Sequence, residues 1–159
     1  MAVPQLRNVF QICYATNDID RAAVILQEQF GCGEMLFMRD LPDSLTQIAL
    51  SYCGDTNFEL VQPHNPSGDF YSDWISGAQD FVLRLHHYGM LVDSREDMAA
   101  IRAAHVARGH GIPLEASMPG NLDALYADVT GTLGHYLEYI YLEEGGRQMF
   151  AAVPGSPMR

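Results

Sequence analysis

The chain contains no lysine. All nine of its basic residues are arginines, set against 20 acidic residues, for a formal net charge of −11. Without a lysine amine there is no Schiff-base chemistry, no pyridoxal phosphate attachment and no lysine-type phosphate loop. Nine scattered arginines in an acidic chain do not build the cationic face that nucleic acid demands, so no nucleic-acid partner is expected. Cysteine is scarce. Cys13, Cys32 and Cys53 form no CxxC pair and are odd in number, which reads as free buried thiols in a reducing compartment. No apolar run approaches the length that crosses a bilayer, and MAVPQLRNVF lacks the layout of a signal peptide. The chain is therefore read as soluble and cytoplasmic, with no membrane partner. The GxSxG, HExxH and GxGxxG motifs are absent as well.

What is present is a repeat. Val9–Arg21 (VFQICYATNDIDR) has a counterpart in Leu85–Asp97 (LHHYGMLVDSRED), each a strand-like stretch running into a helix start. Asn57–Pro63 (NFELVQP) is echoed by His135–Leu142 (HYLEYIYL). At 159 residues, 48% of them hydrophobic, the chain can bury the core of one compact body or of two small fused modules.

The pattern of the first half predicts a strand over Asn8–Ala15, a turn at Asn17-Asp18 and a helix to about Phe30. Ile19, Ala22, Ala23, Leu26 and Phe30 share one face of that helix, and Gly31 stops it. Strands follow at Glu34–Asp40, Leu45–Cys53 and Asn57–Gln62. The second half predicts a strand over Phe81–Val92, a helix over Arg95–Arg108 capped by Ser94 and Asp97, and strands at Ile112–Ser117, Leu122–Val129 and Tyr136–Leu142. Met118–Asn121 is a turn. The domain reading is a first module over 1–63, a linker over 64–80, a second module over 81–142 and a Gly- and Pro-containing tail over 143–159 that wraps the surface or a partner.

Strand side chains repeat every second position. Gln11 therefore shares a face with Cys13, Glu59 with Val61, His87 with Gly89 and Leu91, and Glu138 with Tyr136 and Ile140. Superposing the halves pairs Gln11 with His87 and Glu59 with Glu138. From the residues alone, the two glutamates are equally compatible with solvent exposure or with ties to Arg7, Arg39 or Arg84.

In ICYATNDIDRA, FELVQP, LHHYGMLVD and LGHYLEYI, taken in order and spacing, the chain resembles the vicinal oxygen chelate superfamily. That group includes glyoxalase I, extradiol dioxygenases, bleomycin-resistance proteins and methylmalonyl-CoA epimerases. The PHNPSGDFYSDW linker followed by LHH places it nearest the epimerase-like branch. The resemblance implies an α+β fold of two tandem βαβββ modules forming a curved mixed sheet around a cavity, in a homodimer. It also implies metal ligands at Gln11, Glu59, His87 and Glu138. Family enzymes usually carry His at the position of Gln11, and epimerases tend to carry Gln at the position of Glu59. One imidazole, two carboxylates and one amide suit a divalent Mn, Co, Ni, Fe or Mg ion better than a structural zinc. The implied function is a divalent-metal-dependent lyase or isomerase. It would act on a small carbonyl compound through a metal-stabilised enolate, with Glu138 or Glu59 as the catalytic base. The alternative is a metal-free binding or sequestration protein of the bleomycin-resistance type.

The other histidines are read as structural. His86 and His135 face away from the ligand set, His105 and His110 are read as surface residues, and His64 belongs to the linker. Epimerases use a second acid/base carboxylate near the start of the third strand, where this chain offers only Asp43.

Overall fold

A computed structural model of the protein describes residues 6–40, 46–64 and 69–158. Asp43 lies outside the described residues. The first half runs β1 (Val9–Thr16), α1 (Ile19–Phe30), β2 (Leu36–Met38), β3 (Thr46–Cys53) and β4 (Thr56–Pro63). The second runs β5 (Leu83–Val92), α2 (Arg95–Ala107), β6 (Leu114–Met118), β7 (Leu122–Asp128), a short α3 (Thr130–Leu133) and β8 (Tyr136–Leu142). A last helix, α4, spans Glu144–Ala152. The class is α+β, and each half is a βαβββ unit.

Local chemistry sets the helix ends. Asp18 caps α1 by accepting from the Arg21 amide at 3.0 Å, and Gly31 closes the helix with a φ of 72°. Ser94 caps α2 by accepting from the Asp97 amide at 3.0 Å, and its hydroxyl donates to the Asp97 carboxylate at 2.8 Å.

The chain divides into two compact units. One comprises Gln11–His86 with the residues from Ala151 on, and the other the residues up to Phe10 with His87–Phe150. In the first unit the strand order is β2-β3-β4-β1, with β1 and β4 parallel and the other pairs antiparallel. Ile19, Ala22, Ala23 and Leu26 of α1 pack on Ala49 and Leu60, joined by Tyr14 and Phe58. In the second unit the order is β5-β8-β7-β6, with β5 and β8 parallel. Met90, Leu125, Leu137 and Tyr139 form its core, with Met98 and Ile101 of α2 packed against them. Each sheet thus covers one face with its helix. Alternation sends Gln11, Cys13, Glu59 and Val61 to the opposite face of the first, and His87, Gly89, Glu138 and Ile140 to the opposite face of the second.

The segment after Leu142 departs from expectation: it is largely helical. Two glycines near its start weaken a helix reading by intrinsic propensity. They are there for close approach. A Cβ at Gly145 would sit 2.6 Å from the Gly120 carbonyl oxygen, and one at Gly146 would collide with that of Asn121. The start of α4 rests on the β6–β7 turn through Gly145 N–H to Gly120 O at 2.9 Å and Glu143 N–H to Asn121 O at 2.8 Å. The short α3 is a second helix that the sequence pattern did not predict. β2 is shorter than expected. No described helix is long and apolar enough to cross a membrane.

Candidate functional site

Repeat equivalence extends to strand register. In the first unit Gln11 pairs with Asn57 across β1 and β4, and Cys13 with Glu59. In the second His87 pairs with Tyr136 across β5 and β8, and Gly89 with Glu138. Gln11 and His87 therefore hold one equivalent position, and Glu59 and Glu138 another.

All four side chains are buried: Gln11 is 2% exposed, Glu59 9%, His87 0% and Glu138 6%. The surface reading of the two glutamates does not hold. Of the arginines that might have tied them, Arg39 pairs with Asp20 at 2.6 Å, and Arg84 donates to the Trp74 carbonyl at 2.6 Å.

Within the second unit, His87 Nε2 lies 3.0 Å from Glu138 Oε2. The ring of Tyr126, whose Cα pairs with that of Glu138, stands edge-on to His87 at 5.2 Å between centroids. Within the first unit, Gln11 Nε2 donates to Asn57 Oδ1 at 2.9 Å, and Asn57 Nδ2 donates to the Ser51 carbonyl at 3.4 Å. Sequence reasoning passed over Asn57 and Tyr126. For Asn57 the cue was available, since it lies two residues before Glu59 and so on the same face. Tyr126 is reached only once the β7–β8 register is known.

The remaining histidines divide. His86 is fully buried, with its ring 4.6 Å from that of Phe70 and 4.5 Å from that of Tyr71, as a core histidine should be. One of its ring nitrogens lies within 4.8 Å of Cys13 Sγ. His105 is not a surface residue. It is 3% exposed and lies between His110 and Tyr139. The inward stripe of α2 explains this, because His105 stands four residues beyond Ile101. None of the three cysteines forms a disulfide; Cys13 and Cys32 are buried and Cys53 is half-buried. Burial and the nearby Cys53 push the Cys32 thiol up to about 11, which makes it a poor nucleophile at neutral pH.

A buried imidazole beside a buried carboxylate can share a proton, relay one, or hold a cation. No protein-family model matches the chain, and no curated protein matches it. Solved structures do. A methylmalonyl-CoA epimerase from Mycobacterium tuberculosis superposes with a TM-score of 0.64 at 13% identity, over 96% of this chain and 97% of that one. A variant of the Streptomyces coelicolor methylmalonyl-CoA epimerase, in complex with 2-nitronate-propionyl-CoA, gives 0.67 at 14% identity, over 87% and 99%. A hypothetical protein from Bacillus halodurans gives 0.65 at 17% identity, over 86% and 94%. The protein has the vicinal oxygen chelate fold that its sequence resembles, and methylmalonyl-CoA epimerases are among its structural neighbours.

Proposed function

We propose that the protein is a divalent-metal-dependent lyase or isomerase of a small carbonyl compound, with Gln11, Glu59, His87 and Glu138 as its metal ligands. The observation that carries this reading is the burial of a polar pair at the same two strand positions in each half, Gln11 with Glu59 and His87 with Glu138. Removing a carboxylate from water costs several kcal/mol unless a cation or hydrogen bonds compensate. This chain buries one in each repeat, at equivalent positions.

The residues fit such an ion. Three oxygen donors and one imidazole nitrogen match Mn, Co, Ni, Fe or Mg. His87 Nε2 and Glu138 Oε2, 3.0 Å apart, would be close enough to hold one ion between them. The Asn57 bond to the amide nitrogen of Gln11 orients its Oε1 as the ligand atom. When bound, the ion supplies a positive charge that lowers the cost of negative charge on a carbonyl oxygen.

The chain's own residues do the rest. Glu138, or Glu59 at the equivalent position, takes a proton from the carbon beside the carbonyl and returns it. Tyr126 holds the His87 ring from the side. Cys13, Val61 and Ile140, all buried on the same faces, keep water from the reacting carbon. The epimerase neighbours favour an acyl thioester as the carbonyl compound.

The test is proton exchange. Protein supplied with Mn²⁺ or Co²⁺ is incubated in D₂O with a 2-methyl-branched acyl-CoA thioester. Deuterium enters at the α-carbon with the wild type and not with Glu59→Gln/Glu138→Gln. Thioester bound without exchange in the wild type supports the metal-free binding protein instead.

A further inference from the structure

The helix side of the second unit holds a cavity of about 190 Å³. Leu6, Leu133 and Leu137 line it together with Arg108, His110, His105 and Tyr139. Nothing in the proposed metal chemistry uses these residues, and the inference does not depend on that reading.

Three of these residues form a hydrogen-bonded chain. His105 Nε2 lies 2.9 Å from the Tyr139 hydroxyl, and His105 Nδ1 lies 2.8 Å from His110 Nδ1. Burial, then His110 and Arg108, hold the His105 imidazole down at about 4, so it is neutral at pH 7. Burial holds the Tyr139 phenol up at about 12, so it keeps its hydrogen. A neutral imidazole has one donor and one acceptor nitrogen. Tyr139 is 2% exposed, and His105 is the one described hydrogen-bond partner of its hydroxyl. The phenol hydrogen therefore goes to His105 Nε2. His105 then donates from Nδ1 to His110 Nδ1, and His110 carries its own hydrogen on Nε2. The opposite direction would turn a buried phenol hydrogen away from its partner. Arg108 lines the same cavity, held through Nη1 to the Ala104 carbonyl at 2.7 Å, with four further N–H donors on its guanidinium.

Two donors lining one largely apolar cavity, one of them cationic, select an anionic head on an apolar body. We propose that this cavity binds a small organic monocarboxylate, its carboxylate between Arg108 and His110 Nε2–H and its hydrocarbon against Leu6, Leu133 and Leu137. An apolar cavity of roughly 150 Å³ holds one benzene molecule, so this one takes an acid of roughly six to eight carbons.

The experiment is an NMR titration of the full chain with benzoate and hexanoate, using benzyl alcohol and hexanol as neutral counterparts. Saturable shifts of the His110 side-chain resonances are expected with the acids. In Arg108→Ala and His110→Gln, each checked by circular dichroism, affinity falls at least about tenfold, the scale of one lost charge-assisted hydrogen bond. Arg102→Ala, which removes a surface arginine paired with Glu115, leaves affinity unchanged. The proposal is overturned if neither acid gives saturable shifts, if the alcohols bind as tightly as the acids, or if both cavity variants keep wild-type affinity.

Discussion

Replacing Gly146 by alanine sets two effects of opposite sign against each other. In a helix interior, Gly→Ala gains about 1 kcal/mol through backbone entropy and propensity. At Gly146 the new methyl would overlap the Asn121 carbonyl oxygen and stand 3.0 Å from Leu142 Cδ2. The obstacle is backbone, so α4 must lift off the β6–β7 turn. Lifting breaks the bonds from Gly145 N–H and Glu143 N–H to that turn, each worth about 1 kcal/mol net. Residual overpacking adds about 1 kcal/mol or more. The losses sum to about 3 kcal/mol against a gain of about 1, a net destabilisation of about 2 kcal/mol. For a chain of this size that is a fall of roughly 4–8 °C in Tm. Gly131→Ala is the matched control, because its Cβ meets nothing within 4 Å; it should stabilise by up to about 1 kcal/mol. Urea unfolding of both variants at neutral pH measures the difference. A Gly146→Ala protein stabilised to the same degree as Gly131→Ala would refute the close packing of α4. It would also unseat Phe150, whose ring meets that of Phe10 at 5.4 Å, one residue before Gln11.

Two further outcomes follow from the second unit. His105 is held neutral in the folded chain at about 4, below its ordinary 6.5. As pH falls, the unfolded chain takes up this proton first. The stability His105 contributes is therefore full above about pH 6.5 and lost progressively toward pH 4, to a total of about 3 kcal/mol. Urea unfolding between about pH 7 and pH 4.5 should show a steeper loss in wild type than in His105→Gln; parallel losses would contradict the assignment. Ser94→Ala removes the cap of α2 and should cost about 1 kcal/mol in the same assay, while an unchanged midpoint would show the cap to be idle.

Much of this architecture was legible in the sequence because local rules agree with tertiary ones. Asp18, Gly31 and Ser94 mark helix ends through chemistry that acts within a few residues. Superposing the halves paired Gln11 with His87 and Glu59 with Glu138 before any register was known, and only the family resemblance joined the four as one ligand set. The His105 reading failed because histidine was weighed as a polar residue rather than by its place four residues after Ile101. The α4 reading failed because glycine's helix penalty was counted without the Gly120–Asn121 backbone that requires glycine there. Tyr126 was invisible for a third reason: its place opposite Glu138 is set by β7–β8 register, which depends on pairing and not on neighbours in the chain.

The central claim is that Gln11, Glu59, His87 and Glu138 hold one divalent ion, and elemental analysis tests it most directly. Protein purified without added metal salts, and the same protein dialysed against Mn²⁺, Co²⁺ or Ni²⁺, is compared with Glu59→Ala/Glu138→Ala whose fold is confirmed by circular dichroism. The account predicts a single tightly held ion in the wild-type chain and its loss in the double variant. Equal metal content in the two proteins, or a wild-type chain that retains no ion after dialysis, would contradict it.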